Sequence, residues 1–317
     1  MDKPRINIGE LKANLNRDKT KTKHDYDAGM EPINTDISVI DNTAKFASMC
    51  VTDMMLYPAK MTRLVLRGFL LSVMIFGSAG IGKTYGVMLA LKESGRTWHK
   101  TADEQSNLTD SELDELLDQP APTLRKISGS ITRKGLYKVL YEHRKGWILI
   151  FDDCDAALKK ECSDLMKAAL DSGVDDRVIS WETSRPEEGL PNSFIFESQI
   201  IFISNMTADK VDKAVRSRSA DINLVLTPDE AYEHIGNVLP FIITTRLLNG
   251  ETVEIDLPTK TREMIFEKIS ETREHLPEYS FRTFKMAVSL FQFCKEEGMP
   301  EGTWYEMWDH QQDSHTR

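Results

Sequence analysis

The sequence predicts an α/β fold: a parallel sheet with helices on both faces, followed by a small all-helical lid domain. Two observations predict it. LLSVMIF, WILIF and QIIFIS are near-continuous apolar runs that alternate with helical patterns, as strands of a sheet buried on both faces do. After Thr227 only helical periodicity remains, which puts a boundary near residue 226.

Taken in order, residues 1–44 read as a polar, partly disordered arm, rich in Lys, Asp, Asn and Thr. Helical spacing then leads to a buried strand over residues 71–76, and KTYGVMLALKESG forms a helix ended by Gly95. The acidic stretch 102–123 is a surface excursion. LRKISGS is a strand, GLYKVLYEHRKG a helix and WILIFDD a second buried strand. AALKKECSDLMKAALDSG is one amphipathic helix, closed by Gly173. RVISW and SFIFES are short strands around the loop ETSRPEEGLPN, QIIFISN is a third buried strand and ADKVDKAVRSRS a helix. These fill a domain over 45–226. TPDEAYEHIGNVL, TKTREMIFEKISETREHL and SFRTFKMAVSLFQFCKEEG are the helices of a lid over 227–296, and 297–317 form a tail. Trp304, Tyr305 and Trp308 suit that tail to docking a protein or a neighbouring subunit.

The net charge of −10 does not advertise a surface made for nucleic acid or anionic membranes, although a local basic channel is compatible with it. Cys50, Cys154, Cys162 and Cys294 form no C-x-x-C pair and no metal-ligand spacing, which fits a reducing compartment. The polar N-terminus is not a signal peptide, and the longest apolar stretch is too short to span a bilayer. A cytoplasmic protein without membrane contact is expected.

GSAGIGKT, from Gly77 to Thr84, matches G-x-x-x-x-G-K-[ST] between a predicted strand and a predicted helix. Gly77, Gly80 and Gly82 let the backbone of Ser78, Ala79 and Ile81 turn N–H groups toward phosphate oxygens. The helix dipole adds to this, Lys83 reaches the β- and γ-phosphates, and the Thr84 hydroxyl ligates Mg²⁺. Tyr85 follows in the first helical turn. ATP and Mg²⁺ are therefore the expected cofactors. GWILIFDDCD ends a strand in two carboxylates, at the sheet end where ligands collect. Asp152 is expected to hold Mg²⁺ through water and Asp153 to orient and deprotonate the attacking water. Asp153 also suits a helix N-cap, and Asp155 is assigned to that role.

This succession of motifs resembles the AAA+ ATPases, and the run FDDCD…LMKAALDSG…PNSF…IIFISN…RSRS resembles AAA ATPases encoded by bacteriophages. The resemblance implies that Asn205, ending QIIFISN, is the sensor that helps fix the hydrolytic water. It also implies that Arg218, in an S-R-S run like the S-R-C of clamp loaders, is an arginine finger, with Arg216 as neighbour or substitute. Arg282, after Ser280 as N-cap, corresponds to the second sensor reaching back to the nucleotide. One departure stands out: most of the family carries Glu where this chain has Asp153, although Asp-Asp occurs in its initiator and helicase-loader branch.

A finger acting in trans implies a homo-oligomeric ring, most often a hexamer. The family's pore loop falls on SGSITRKGLY, where Arg133, Lys134 and Tyr137 are candidates for gripping nucleic acid or acidic polypeptide. Three functions follow as expectations: a helicase-like or loader-like motor in DNA transactions, a MoxR-type chaperone remodelling a partner protein, or an ATP-binding switch with little turnover.

Overall fold

The computed structural model describes residues 55–99, 123–182, 189–271, 276 and 279–315. The N-terminal arm, Cys50, the acidic stretch up to residue 122 and the loop tip 183–188 lie outside the described residues. The described chain runs through α1 (Tyr57–Leu66), β1 (Ser72–Gly77), α2 (Lys83–Glu93), β2 (Leu124–Ser128), α3 (Arg133–Glu142) and β3 (Lys145–Asp152). It continues through α4 (Ser163–Ala169), β4 (Val178–Ser180), β5 (Ser193–Ile195), β6 (Glu197–Ser204), α5 (Lys213–Arg216) and β7 (Ala220–Leu224). The C-terminal part holds α6 (Pro228–Val238), β8 (Thr245–Leu248), β9 (Glu251–Glu254), α7 (Thr259–Ser270), α8 (Phe281–Glu296) and α9 (Thr303–His315).

Five strands form one parallel sheet in the order β2-β3-β6-β1-β7. All six residues of β1 are buried, as a strand covered on both faces requires. Alternation sends Val73 and Ile75 toward Val65 of α1 and Val87 and Leu91 of α2. Met74 and Phe76 go to the other face, against Leu136 and Leu140 of α3 and Leu165 and Met166 of α4. Each fully buried side chain of this size contributes about 1.5–3 kcal/mol. The predicted α/β architecture with helices on both faces is thus the observed one. The C-terminal helices close around their own apolar cluster, which includes Ile235, Ile265, Phe284 and Trp308. Among the described residues no helix is long and apolar enough to cross a membrane.

Several local expectations are corrected. The helix expected over 156–173 divides into a 3-10 turn, Asp155–Leu158, and α4, because Lys159 is extended. The break lets Leu158 and Leu165 reach one buried cluster. The helix expected over 208–219 shortens to a 3-10 turn, Ala208–Lys210, and α5. Strand β7, which follows it, was not expected: its five residues alternate in burial, so it carries no continuous apolar run. The helices-only reading after Thr227 misses the β8–β9 hairpin, whose turn residues Asn249 and Gly250 both have positive φ. Trp304 and Trp308 are buried in this chain's own C-terminal cluster, so the docking role expected of the tail loses these two aromatics.

Candidate functional site

Strand order brings the motifs together. β6 lies between β1 and β3, so Asn205, one residue past β6, stands between the loop that follows β1 and the carboxylates that end β3. The register sets Phe76 beside Ser204 and Ile203 beside Asp152, which brings the three strand ends level.

The loop from Ser78 to Gly82 is held from two sides. At Gly77 φ is +152°, and a Cβ there would lie 2.3 Å from the Leu224 carbonyl oxygen, so only glycine lets β1 leave the sheet beside β7. At Gly80 φ is +68°, and a Cβ would meet Ser280 Oγ at 2.7 Å and Arg282 Cγ at 3.2 Å. The Phe281 N–H donates to the Gly80 carbonyl at 3.0 Å. The first turn of α8 therefore rests on the loop, with Ser280 as the expected N-cap: its Oγ accepts from the Arg282 N–H, and Thr283 completes a capping box. Arg282 itself is exposed, its stem beside Gly80. His234 of α6 is buried, makes a hydrogen bond to the Ile81 backbone and meets the Phe281 ring edge-on at 5.2 Å. Burial pushes its imidazole below the ordinary value, and the Ile81 contact only partly opposes this.

Lys83 is 5% exposed, and its ammonium group donates to the carbonyls of Gly77 (2.9 Å) and Ser78 (2.6 Å) and to Asn205 Oδ1 (2.8 Å). Asn205 Nδ2 in turn donates to Asp153 Oδ1 at 2.9 Å. Thr84 Oγ1 donates to Asp152 Oδ1 at 3.2 Å, and Lys126 Nζ pairs with the other oxygen, Oδ2, at 2.7 Å. Asp153 is exposed and has a φ of +52°, a region Asp and Asn tolerate better than other side chains. Its N–H donates to the Ile203 carbonyl. Asp155 does not cap a helix; it accepts from Ser204 Oγ at 2.5 Å and braces β6 against β3.

The donor set fits an ATP–Mg²⁺ group. A hydroxyl and a carboxylate, both hard oxygen donors, lie side by side at Thr84 and Asp152, next to a buried ammonium and a glycine-rich helix entry. Tyr85 is 74% exposed at the start of α2, and the structure ties it to nothing in the loop.

Arg216 and Arg218 lie at the opposite end of the sheet. β7 begins beside Val73 near the start of β1, and Ser219 Oγ is 2.5 Å from Ser72 Oγ. Arg216 forms a two-pronged pair with Asp221, at 3.1 and 2.6 Å. Arg218 donates to the Ala214 carbonyl at 2.7 Å and lies 4.0 Å from Asp171. Neither arginine is part of its own chain's loop cluster.

The pore-loop candidates separate. Tyr137 is 1% exposed, packs between Trp181 and Phe194 and donates its hydroxyl to the Pro191 carbonyl, so it is a core residue that braces the β4–β5 hairpin. This corrects its assignment to the pore: α3 already begins at Arg133, and the helical register turns Leu136 and Tyr137 inward. Arg133 is half-buried, donates to the Glu161 carbonyl and pairs loosely with Asp164; Lys134 is exposed. The sequence reading missed Lys126, His234 and the contact of Ser280 with Gly80. Ser280 was readable as a cap, but its contact, like the others, depends on how elements distant in sequence pack.

No known family profile matches the chain. An uncharacterised 36.7 kDa protein from the nrdC-mobD intergenic region of Enterobacteria phage T4 is 30% identical over 154 residues, 47% of this chain. The match spans 40% of that relative's length. Among solved structures, the RuvB Holliday junction branch migration motor of Thermotoga maritima aligns at a TM-score of 0.39 and 16% identity, covering 75% of this chain and 63% of that one. A DNA polymerase III gamma subunit-related protein of the same organism gives 0.36 and 13%, over 74% and 57%. The FIGL-1 AAA domain in complex with ADP gives 0.31 and 14%, over 83% and 80%. The T4 relative, a phage protein, agrees with the phage resemblance of the motifs.

Proposed function

We propose that this chain is an AAA+ ATPase that binds ATP with Mg²⁺ and hydrolyses it at the interfaces of a ring, hexameric by family precedent, to drive a DNA transaction. The observation that supports it is the convergence of Lys83, Thr84, Asp152, Asp153 and Asn205 at three adjacent strand ends.

In this reading the loop N–H groups, the α2 dipole and Lys83 bind the phosphates. Bound Mg²⁺ would supply neutralisation of phosphate charge, held by Thr84 and Asp152. Asp153 accepts the proton of the attacking water, and Asn205 keeps that carboxylate oriented while touching Lys83. Arg282, beside Gly80, follows the nucleotide from α8. Arg218, at the far end of the sheet, serves a neighbouring copy, where its charge stabilises the transition state. Arg216, held by Asp221, braces the same corner.

The DNA reading rests on Arg133 and Lys134 at the head of α3. A second reading, remodelling of a partner protein, is favoured by the carboxylate that already faces Arg133 and by the net charge of −10. Steady-state ATP hydrolysis with and without single- and double-stranded DNA separates them. Stimulation by DNA that disappears in Arg133→Ala/Lys134→Ala supports the DNA motor; indifference to DNA together with a co-purifying partner supports remodelling. No ATP hydrolysis under any condition leaves an ATP-binding switch.

A further inference from the structure

Lys126 is absorbed by none of the roles above, yet its ammonium makes the closest contact to the Asp152 carboxylate, 2.7 Å against 3.2 Å for Thr84. It sits on β2, the edge of the sheet, paired with Ile150 two residues before Asp152, so both side chains leave the same face. The Lys126 side chain is 41% exposed and that of Asp152 only 10%. The pair divides the carboxylate: Oδ1 faces Thr84 and Oδ2 faces the lysine.

A carboxylate this buried needs a compensating charge, because leaving one unpaired in a protein interior is costly. In the absence of a metal ion Lys126 supplies that charge. A divalent cation arriving alone must share Asp152 with an ammonium group already in contact and meet its repulsion at short range. Nucleotide phosphates change the balance, since their negative charge offsets both cations. From this arrangement, and resting on the metal reading of Thr84 and Asp152 above, we infer that Lys126 is a gatekeeping residue: it guards Asp152 against free divalent cations, so that metal enters only together with nucleotide.

The test uses the full chain and Mn²⁺ as the probe, with free Mn²⁺ followed by electron paramagnetic resonance. Without nucleotide, Lys126→Met keeps the stem but not the charge, and binds Mn²⁺ at least about tenfold more tightly than the wild type, the lower end of what groups contacting a metal ligand change. Lys126→Arg behaves as wild type, and adding Asp152→Asn to Lys126→Met removes the gain. With ADP present, the wild type and Lys126→Met bind Mn²⁺ alike. Nucleotide-free Mn²⁺ binding that is unchanged or weaker in Lys126→Met overturns the inference, while loss of Mn²⁺–ADP binding in Asp152→Asn keeps the metal reading intact. Mn²⁺–ADP binding untouched by Asp152→Asn sinks the metal reading itself. Should the Met variant not fold, as judged by circular dichroism, Lys126→Gln replaces it in each arm.

Discussion

Lys83 and Asn205, 122 residues apart in sequence, are joined by a 2.8 Å hydrogen bond from the ammonium group to the amide oxygen. Because lysine only donates, the orientation of the amide is fixed, and its NH₂ group must face Asp153. The lysine and the carboxylate proposed as phosphate binder and general base are thereby linked through one side chain.

Asp153→Asn should abolish turnover and leave ATP binding unchanged. Asn tolerates the positive φ at this position, so the variant should melt like the wild type. Asp153→Val, by contrast, should lose about 1–2 kcal/mol of stability in urea denaturation, the cost of the left-handed conformation for a side chain that disfavours it. Asn205→Ala should lower kcat by roughly 10²-fold with nucleotide affinity changed only a few-fold. Full turnover in Asp153→Asn would falsify the assignment of the base.

The place of Arg218 predicts complementation between copies. Arg218→Ala and Lys83→Ala should each be inactive alone, at any protein concentration. Mixed, they should regain part of the activity, because some interfaces then combine an intact loop with an intact arginine. An inactive mixture that nevertheless co-assembles would argue against a shared site. Arg216→Ala should cost less than about 1 kcal/mol of stability, since its pair with Asp221 is partly exposed.

Gly77→Ala places a methyl group 2.3 Å from a backbone oxygen that cannot rotate away. It should lose about 2 kcal/mol or more in chemical denaturation. Gly80→Ala meets the Ser280 side chain instead, so Gly80→Ala/Ser280→Gly should recover part of its loss. Additive losses in the double variant would show that the Gly80 penalty is backbone strain alone.

Acid should weaken the fold through two histidines. Burial holds both His143 and His234 below the ordinary value of 6.5; at His143, nearby Arg125 and His99 add to this. In the unfolded chain each imidazole gains a proton as pH falls through 6.5, whereas in the folded protein each resists. The unfolded state binds more protons in that window, so stability is complete above it and is lost on acidification toward and through the lowered folded values. Melting temperature should fall between pH 7 and pH 5.5, and His234→Gln should make the fall smaller. An identical slope in the variant would remove His234 from the explanation.

The three central strands were legible because Ile75, Ile150 and Ile201 sit in short apolar runs of strand length, which an amphipathic surface helix or a solvated loop does not carry. The G-x-x-x-x-G-K-[ST] loop was legible because its pattern is local, each residue lying within a few positions of the next. β7 was not, since Ala220, Ile222 and Leu224 alternate with Asp221 and Asn223 over only five residues, with no continuous apolar run to set them off from the arginine segment before them. Asn249-Gly250 was a readable turn signal that the helical pattern around it masked. Lys126 and Tyr137 were out of reach for another reason. Whether a lysine meets an aspartate, or a tyrosine turns inward, depends on strand order and helix register, which exist only after folding.

The hydrogen bond from Phe281 to Gly80 gives α8 the properties of a lever. The helix is 16 residues long, about 24 Å from end to end, and its first turn is fastened to the loop. A rigid rod pivoted there magnifies its input: a tilt too small to break one contact near Gly80 carries Glu296 several times farther. In the proposed reading, a nucleotide at the loop would be read mechanically at the far end of α8, where Arg246 of the β8–β9 hairpin grips Glu296 at 2.6 Å.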